Sequence, residues 1–174
     1  MKRCIRIALM AAALGPAAGI GGSGGLMAEE TNTKPGLDIA FHHVGISVAD
    51  LDASIAWYRE MLGFEEVLRM KEDAANKMEI GHIRRGNCYI ELFEVEGAQP
   101  LPEYRRDPSA DLRVHGLKHF GLEVASVHAA VEALRAKGVD VAMGPVDTPG
   151  VCFVFIRDNS GNTLELIEYK TRPE

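Results

Sequence analysis

Cysteine is scarce in this chain: three occur among 174 residues, with none of the close spacing of a zinc knuckle. Cys4 stands near the start, leaving Cys88 and Cys152, too few for a disulfide framework; two buried, small apolar residues are the expectation. Aromatic residues make up only 6%, and 19 basic residues face 25 acidic ones, for a net charge of −6. A surface that grips a nucleic-acid backbone needs the opposite balance, which excludes nucleic acid as a partner. No apolar run reaches bilayer length either. What is present, 47% hydrophobic and 25% charged positions, suits a globular domain or two small modules sharing one core.

Acidic residues are absent from the first 28 positions, "MKRCIRIALMAAALGPAAGIGGSGGLMA". Lys2, Arg3 and Arg6 precede an apolar stretch from Ile7 to Leu14, then small residues and glycines, which is the order of a secretory signal peptide. Translation from Met27, ahead of "AEETNTKPG", is the competing reading. The first implies a secreted or periplasmic protein with no stable membrane insertion after leader removal; the second implies a cytoplasmic one. Residues 1–28 are therefore set apart from the fold, and their removal leaves a net charge of −9.

After a linker over 29–38, the chain alternates strand and helix patterns twice. "IAFHHVGISV", "LDASIAWYREMLG", "FEEVLRM", "NKMEIGHIRRG" and "NCYIELFEVEG" fill a first module, 39–97. A polar connection, 98–115, leads to "LKHFGLEVAS", "VHAAVEALRAKG", "VDVAMGPV", "VCFVFIRD" and "NTLELIEYK" in a second module, 116–170, with a tail over 171–174. Asp50 or Asp52 can cap the first helix, and Gly63 and Gly138 mark helix ends. Laying "HVGISVADLDASIAWYRE" on "HFGLEVASVHAAVEALRA" aligns His43 with His119, Gly45 with Gly121 and Arg59 with Arg135. The period of 76 residues exceeds that of a solenoid and fits a duplicated βαβββ unit whose halves pair.

The repeat extends to chemistry, since Glu91 follows His43 by 48 residues and Glu165 follows His119 by 46. Alternate side chains of a strand share a face. Val44, Ile46 and Val48 must meet the helix, where Ile55, Tyr58 and Leu62 recur at helical spacing, so His43 points the other way with Gly45 and Ser47. The same parity sets His119, Glu91 and Glu165 opposite their aliphatic neighbours, while His42 falls with the aliphatic set as a rim or packing residue. Two imidazoles and two carboxylates on such faces can converge. Buried together without a cation, the carboxylates would repel and take up protons; a divalent metal removes the conflict. Glycines 45 and 121 leave room beside each histidine. Arg84, Arg85, Arg105, Arg106 and Arg113 are candidates to clamp an anionic substrate tail, with solvated loop positions the blander reading. Trp57 and Tyr58 are expected to pack between helix and sheet.

The stretches "HHVGISVADLDASIAWYREMLGF", "CYIELFE", "LKHFGLEV" and "DNSGNTLELIEY" resemble the vicinal oxygen chelate superfamily, which includes glyoxalase I, methylmalonyl-CoA epimerase, extradiol dioxygenases and fosfomycin or bleomycin resistance proteins. The resemblance covers nearly all of Ile39 to Lys170. It implies an α+β fold of two paired βαβββ modules forming a partly open barrel, with one divalent metal ion (Zn, Ni, Co, Mn or Fe) held by His43, Glu91, His119 and Glu165. It further implies that Glu91 and Glu165 are catalytic carboxylates moving a proton beside a carbonyl while the metal acts as Lewis acid. A glyoxalase I-like lyase or isomerase is the leading expectation, with a glutathione or CoA thioester adduct as substrate and a homodimer as assembly. An acyl-CoA epimerase, a dioxygenase and a non-catalytic binding protein are the alternatives.

Overall fold

Helix formation begins at a cap. Asp50, extended at φ −151°, accepts the Ala53 N–H at 2.8 Å through its side chain and so starts α1, Leu51–Leu62. Gly63 ends α1 in the left-handed conformation (φ 70°), donating its N–H to Arg59 O. The stripe Leu51, Ile55, Tyr58 and Leu62 is buried. It packs on a four-stranded sheet of order β1-β4-β3-β2, made of β1 (His43–Val48), β2 (Glu65–Lys71), β3 (Met78–Arg85) and β4 (Cys88–Val95). At Gly81 on β3 a Cβ would lie 3.0 Å from Leu51 Cδ1, so the absent side chain lets the helix approach the sheet.

The second module repeats this plan. Strands β5 (Phe120–Glu123), β6 (Asp140–Asp147), β7 (Val151–Arg157) and β8 (Thr163–Tyr169) form a sheet of order β5-β8-β7-β6. Helix α2, Val127–Ala136, is capped by the Ser126 hydroxyl and buries Val127, Val131 and Leu134. In each sheet the first strand runs parallel to the last and the other pairings are antiparallel. A glutamate of the last strand also tends each helix start: Glu94 accepts the Leu51 N–H at 2.7 Å and Glu168 the Val127 N–H at 2.9 Å. Both carboxylates sit at the positive end of a helix dipole. The α+β architecture of two βαβββ modules is thus present, and among the described residues the sheets close no barrel.

The computed structural model describes Leu37 and residues 39–71 and 77–172. The expected leader and its alternative start at Met27 lie outside the described residues. Among the described residues no helix is long and apolar enough to cross a membrane.

One hydrophobic cluster joins the modules, with Tyr58, Phe64, Ile90 and Leu92 from the first and Val127, Val131, Cys152 and Leu164 from the second. A polar clasp supplements it. The Tyr58 hydroxyl donates to Asp158 Oδ2 at 3.0 Å, Asn162 Nδ2 donates to Ser47 O at 3.0 Å, and Ala49 N donates to Ser160 Oγ at 3.0 Å. Burial first, and the Asp158 carboxylate second, hold the Tyr58 hydroxyl well above its ordinary pKa. Trp57 is half-buried and packs against the same core. Both body cysteines are free thiols; Cys152 is buried and Cys88 partly so.

Candidate metal centre and active site

Strand alternation puts the histidines and glutamates singled out in the sequence on the faces turned away from the helices. On β1, Gly45 and Ser47 are exposed while Val48 is buried, and His43 shares their parity. The parallel β1–β4 register sets Gly45 opposite Glu91, and the β5–β8 register sets Gly121 opposite Glu165. Each histidine, two residues before its glycine, therefore reaches the glutamate of the neighbouring strand. His43 Nε2 lies 3.3 Å from Glu91 Oε2, and His119 Nε2 lies 3.2 Å from Glu165 Oε2. A Cβ on Gly45 would stand 3.0 Å from Phe93 Cε2 and 3.6 Å from Glu91 Oε2. Gly121 is under less pressure, with Glu165 Oε2 at 3.7 Å the sole neighbour within 4 Å among the described residues.

The structure delivers the four residues as two pairs, one per sheet. Among the described residues, neither pair belongs to a group of three donor atoms that all lie within 4.8 Å of one another. A cleft of about 740 Å³ between the modules includes Gly45, Ser47 and His119 in its lining, but not His43, Glu91 or Glu165. The donor chemistry of each pair, one imidazole nitrogen and one carboxylate oxygen, fits half of a four-coordinate site for a borderline divalent ion.

The surroundings of the two pairs differ, a feature the sequence reading did not reach. Register sets His82 opposite Glu91 and Phe155 opposite Glu165. His82 Nε2 lies 2.9 Å from Glu91 Oε1; since an ionised carboxylate only accepts, His82 donates. Glu91 thus has one imidazole at each oxygen. Beside His119 the Phe155 ring packs edge-on, 4.9 Å between centroids. The β3–β4 turn held the missing clue: with Arg85 paired to Cys88 across Gly86 and Asn87, counting outward along "HIRRGNCYIE" brings His82 to Glu91.

His42 is exposed at the rim, as its parity allowed, and stacks on Tyr89 with 5.4 Å between centroids. Its Nδ1 also lies 2.7 Å from His43 Nδ1. In the tautomer where His43 Nδ1–H donates to His42, the His43 Nε2 lone pair is free toward Glu91, the arrangement that orients a ligating imidazole.

The arginines separate as well. Arg85 donates to Leu62 O at the end of α1. Arg105 is bound to buried Asp111, at 3.3 Å, and to the carbonyls of Leu117 and Lys118. The connection expected only as polar is thereby folded, with a 3-10 turn at Glu103–Arg106 and one helical turn at Pro108–Asp111. Arg106 and Arg113 are exposed there. Arg84 has the parity of His82 and stands beside Tyr89, its Nη1 3.4 Å from the phenol oxygen.

The family model described as Glyoxalase/Bleomycin resistance protein/Dioxygenase superfamily matches residues 40–166. The chain belongs to this superfamily. A lactoylglutathione lyase of Arabidopsis thaliana is 32% identical over 140 residues, covering 77% of this chain and 46% of that protein. This glyoxalase-superfamily chain thus spans about half the length of the plant relative. A 2-epi-5-epi-valiolone epimerase of an Actinomyces species is 33% identical over 151 residues, covering 74% of this chain and 79% of the relative. The crystal structure of a glyoxalase family protein from Enterococcus faecalis superposes with a TM-score of 0.62 at 25% identity, covering 74% of this chain and 97% of that one.

Proposed function

We propose that this protein is a divalent-metal-dependent isomerising lyase of the glyoxalase I kind, acting on the hemithioacetal of glutathione and a 2-oxoaldehyde. The observation that carries the reading is the duplicated His–Glu pair, His43 with Glu91 and His119 with Glu165, on two equivalent open sheet faces. Lactoylglutathione lyases among the relatives support it. These four residues would hold the ion, whose chemistry when bound is that of a Lewis acid on neighbouring substrate oxygens.

The unequal settings of the two carboxylates divide the remaining work. Glu91, hydrogen-bonded by His82, stays in place. Glu165, facing Phe155 across the strands, is the base that takes a proton from one substrate carbon and returns it to the adjacent carbon. Atoms balance, because the hemithioacetal and the thioester are isomers. Arg84, beside Tyr89 on the His82 face, is placed to pair with a glutathione carboxylate.

The same reading needs a second copy of the chain, since one chain presents two half-sites. The donor faces also carry large apolar side chains in water: Leu68 is 40% exposed, Val95 36% and Tyr169 39%. Pairing the first sheet of one protomer with the second sheet of its partner covers these residues and assembles four donors. An epimerase reading has a specific support of its own, the 33% identical epimerase, and differs in substrate rather than in the groups that move the proton.

One experiment addresses both points. Metal-loaded protein is assayed with methylglyoxal plus glutathione, and with acyl-CoA and cyclitol ketone substrates in deuterated water. Then inactive His43→Ala and Glu165→Gln chains are unfolded together and refolded as a mixture. Lyase turnover lost on chelation, with about a quarter of wild-type activity regained in the mixture, is expected, because half of randomly paired dimers hold one intact site. Deuterium entry only into a cyclitol or acyl-CoA substrate would replace the lyase with an epimerase. An active monomer with no regain in the mixture would refute the shared site.

A further inference from the structure

The second module holds another constellation on the helix side of its sheet. In β7, Cys152, Val154 and Ile156 are fully buried toward α2, whereas Phe155, the cross-strand partner of Glu165, has the opposite parity. Asp147, the last residue of β6, is paired across the hairpin with Cys152, so both side chains stand on the helix side. The first turn of α2 contributes His128. His128 Nε2 lies 2.8 Å from Asp147 Oδ2 and 3.8 Å from Cys152 Sγ, and the three donor atoms all fall within 4.8 Å of one another.

A nucleophilic relay is the first alternative to test against this geometry. Such a relay uses both ring nitrogens, one held by the carboxylate and the other facing the thiol. Here carboxylate and thiol meet the same nitrogen, Nε2. Three donors around one point is the geometry of a chelate. Neighbouring ligands of a tetrahedral ion with bonds of about 2.0–2.3 Å stand about 3.3–3.7 Å apart, so the ion would widen the His128–Asp147 contact and draw Cys152 in slightly.

We propose that His128, Asp147 and Cys152 form a second metal site, independent of the paired half-sites, that takes one thiophilic divalent ion of the zinc class per chain. A thiolate, an imidazole and a carboxylate exclude magnesium and calcium, which require oxygen ligands. Lys170 Nζ lies 2.6 Å from Asp147 Oδ1 and 3.1 Å from Thr148 O, so it fixes the carboxylate while leaving Oδ2 toward His128. Without an ion, Nε2 can donate to one partner only, and the thiol stays protonated because burial, and then the Asp147 carboxylate, push its pKa up. Ion entry releases that thiol proton, one per chain, to solvent. The bound ion then ties the start of α2 to the β6–β7 hairpin.

Cobalt(II) is the probe, added to the full chain, because thiolate ligation gives a near-ultraviolet charge-transfer band that imidazole and carboxylate ligands do not. In His43→Ala chains, whose paired half-sites are disabled, the band is expected to saturate at one equivalent. It should vanish in Cys152→Ser, persist in Cys88→Ser and in His43→Ala, and lose about tenfold or more in cobalt affinity in His128→Ala. No band in the wild type, a band surviving in Cys152→Ser, or unchanged affinity in His128→Ala overturns the site. The His128 side chain is exposed, so that variant decides the matter even where Cys152→Ser fails to fold.

Discussion

Replacing His82 by leucine gives the sharpest test of how the first carboxylate is held. His82 Nε2 donates to Glu91 Oε1 over 2.9 Å, and the two side chains are only 17% and 16% exposed. A charge-assisted bond of this kind contributes about 1.5–3 kcal/mol, and removing a group that orients a metal ligand costs about 10–100-fold in affinity. The two figures agree, since tenfold corresponds to about 1.4 kcal/mol. His82→Leu should therefore weaken metal binding and kcat together by that factor while the apolar replacement keeps the strand folded. His82→Gln retains an amide donor and should recover most of the loss. Phe155→Leu, at the equivalent position opposite Glu165, should leave affinity near wild type. Competition against a chromophoric chelator gives the dissociation constants, and circular dichroism checks the fold. Wild-type affinity in His82→Leu, or a glutamine variant as weak as the leucine one, would show that the imidazole acts by packing alone.

Gly45→Ala and Gly121→Ala should separate in the same assay. The first places a Cβ 3.0 Å from Phe93 Cε2 and must shift that ring beside Glu91, while the second meets Glu165 Oε2 at an ordinary 3.7 Å and should stabilise the strand by about 0.5 kcal/mol, read by chemical denaturation. Tyr58→Phe removes one donor from Asp158, which keeps Ser160 N, Asn162 N and Asn162 Nδ2, so the low end of the range applies: about 1.5 kcal/mol, or a Tm lower by about 3–6 °C. Because the folded state holds the Tyr58 proton well above its ordinary value of 10.0, wild-type stability should be complete below pH 10 and fall as pH rises beyond it. The phenylalanine variant should lose less over that interval in alkaline denaturation curves, and an identical slope would refute the assignment. Among the described residues Ser54 Oγ, buried in α1, has no hydrogen-bond partner, so Ser54→Ala should raise stability by about 0.5 kcal/mol or more, seen as a higher Tm; a lower one would mean the hydroxyl is bonded after all.

Much of the fold was legible because the duplicated pattern obeys two periods. Helical spacing of Ile55, Tyr58 and Leu62 and strand alternation in "HVGISV" each select one face, and the second copy checks the first. Asp50 and Gly63 then fix the helix limits through short-range backbone geometry. The cross-strand partners were harder. A face assignment needs only the parity of one strand, whereas finding His82 beside Glu91 needs the register between two, which the turn at Gly86 and Asn87 sets. Glu94 and Glu168 were hidden for a similar reason, since their partners, the N–H groups of Leu51 and Val127, lie 43 and 41 residues away.

The most instructive limit concerns which donors can meet. Symmetric spacing in one chain invites the inference that four matched residues converge, and parity supports it by setting all four on open faces. Parity, however, fixes direction relative to a sheet and not the placement of one sheet against another. That placement comes from the helices and from the turn at Asp158–Asn162, whose contacts with Tyr58 and Ser47 join the modules through α1 and the end of β1. Core packing and the polar clasp hold the halves together while the donor faces stay open, each with one His–Glu pair. On the proposed function, intrachain stability and completion of the metal centre therefore draw on different surfaces. A substitution in the clasp, such as Tyr58→Phe, should lower Tm before it alters metal stoichiometry, while a charge placed at Leu68 or Val95 should do the reverse.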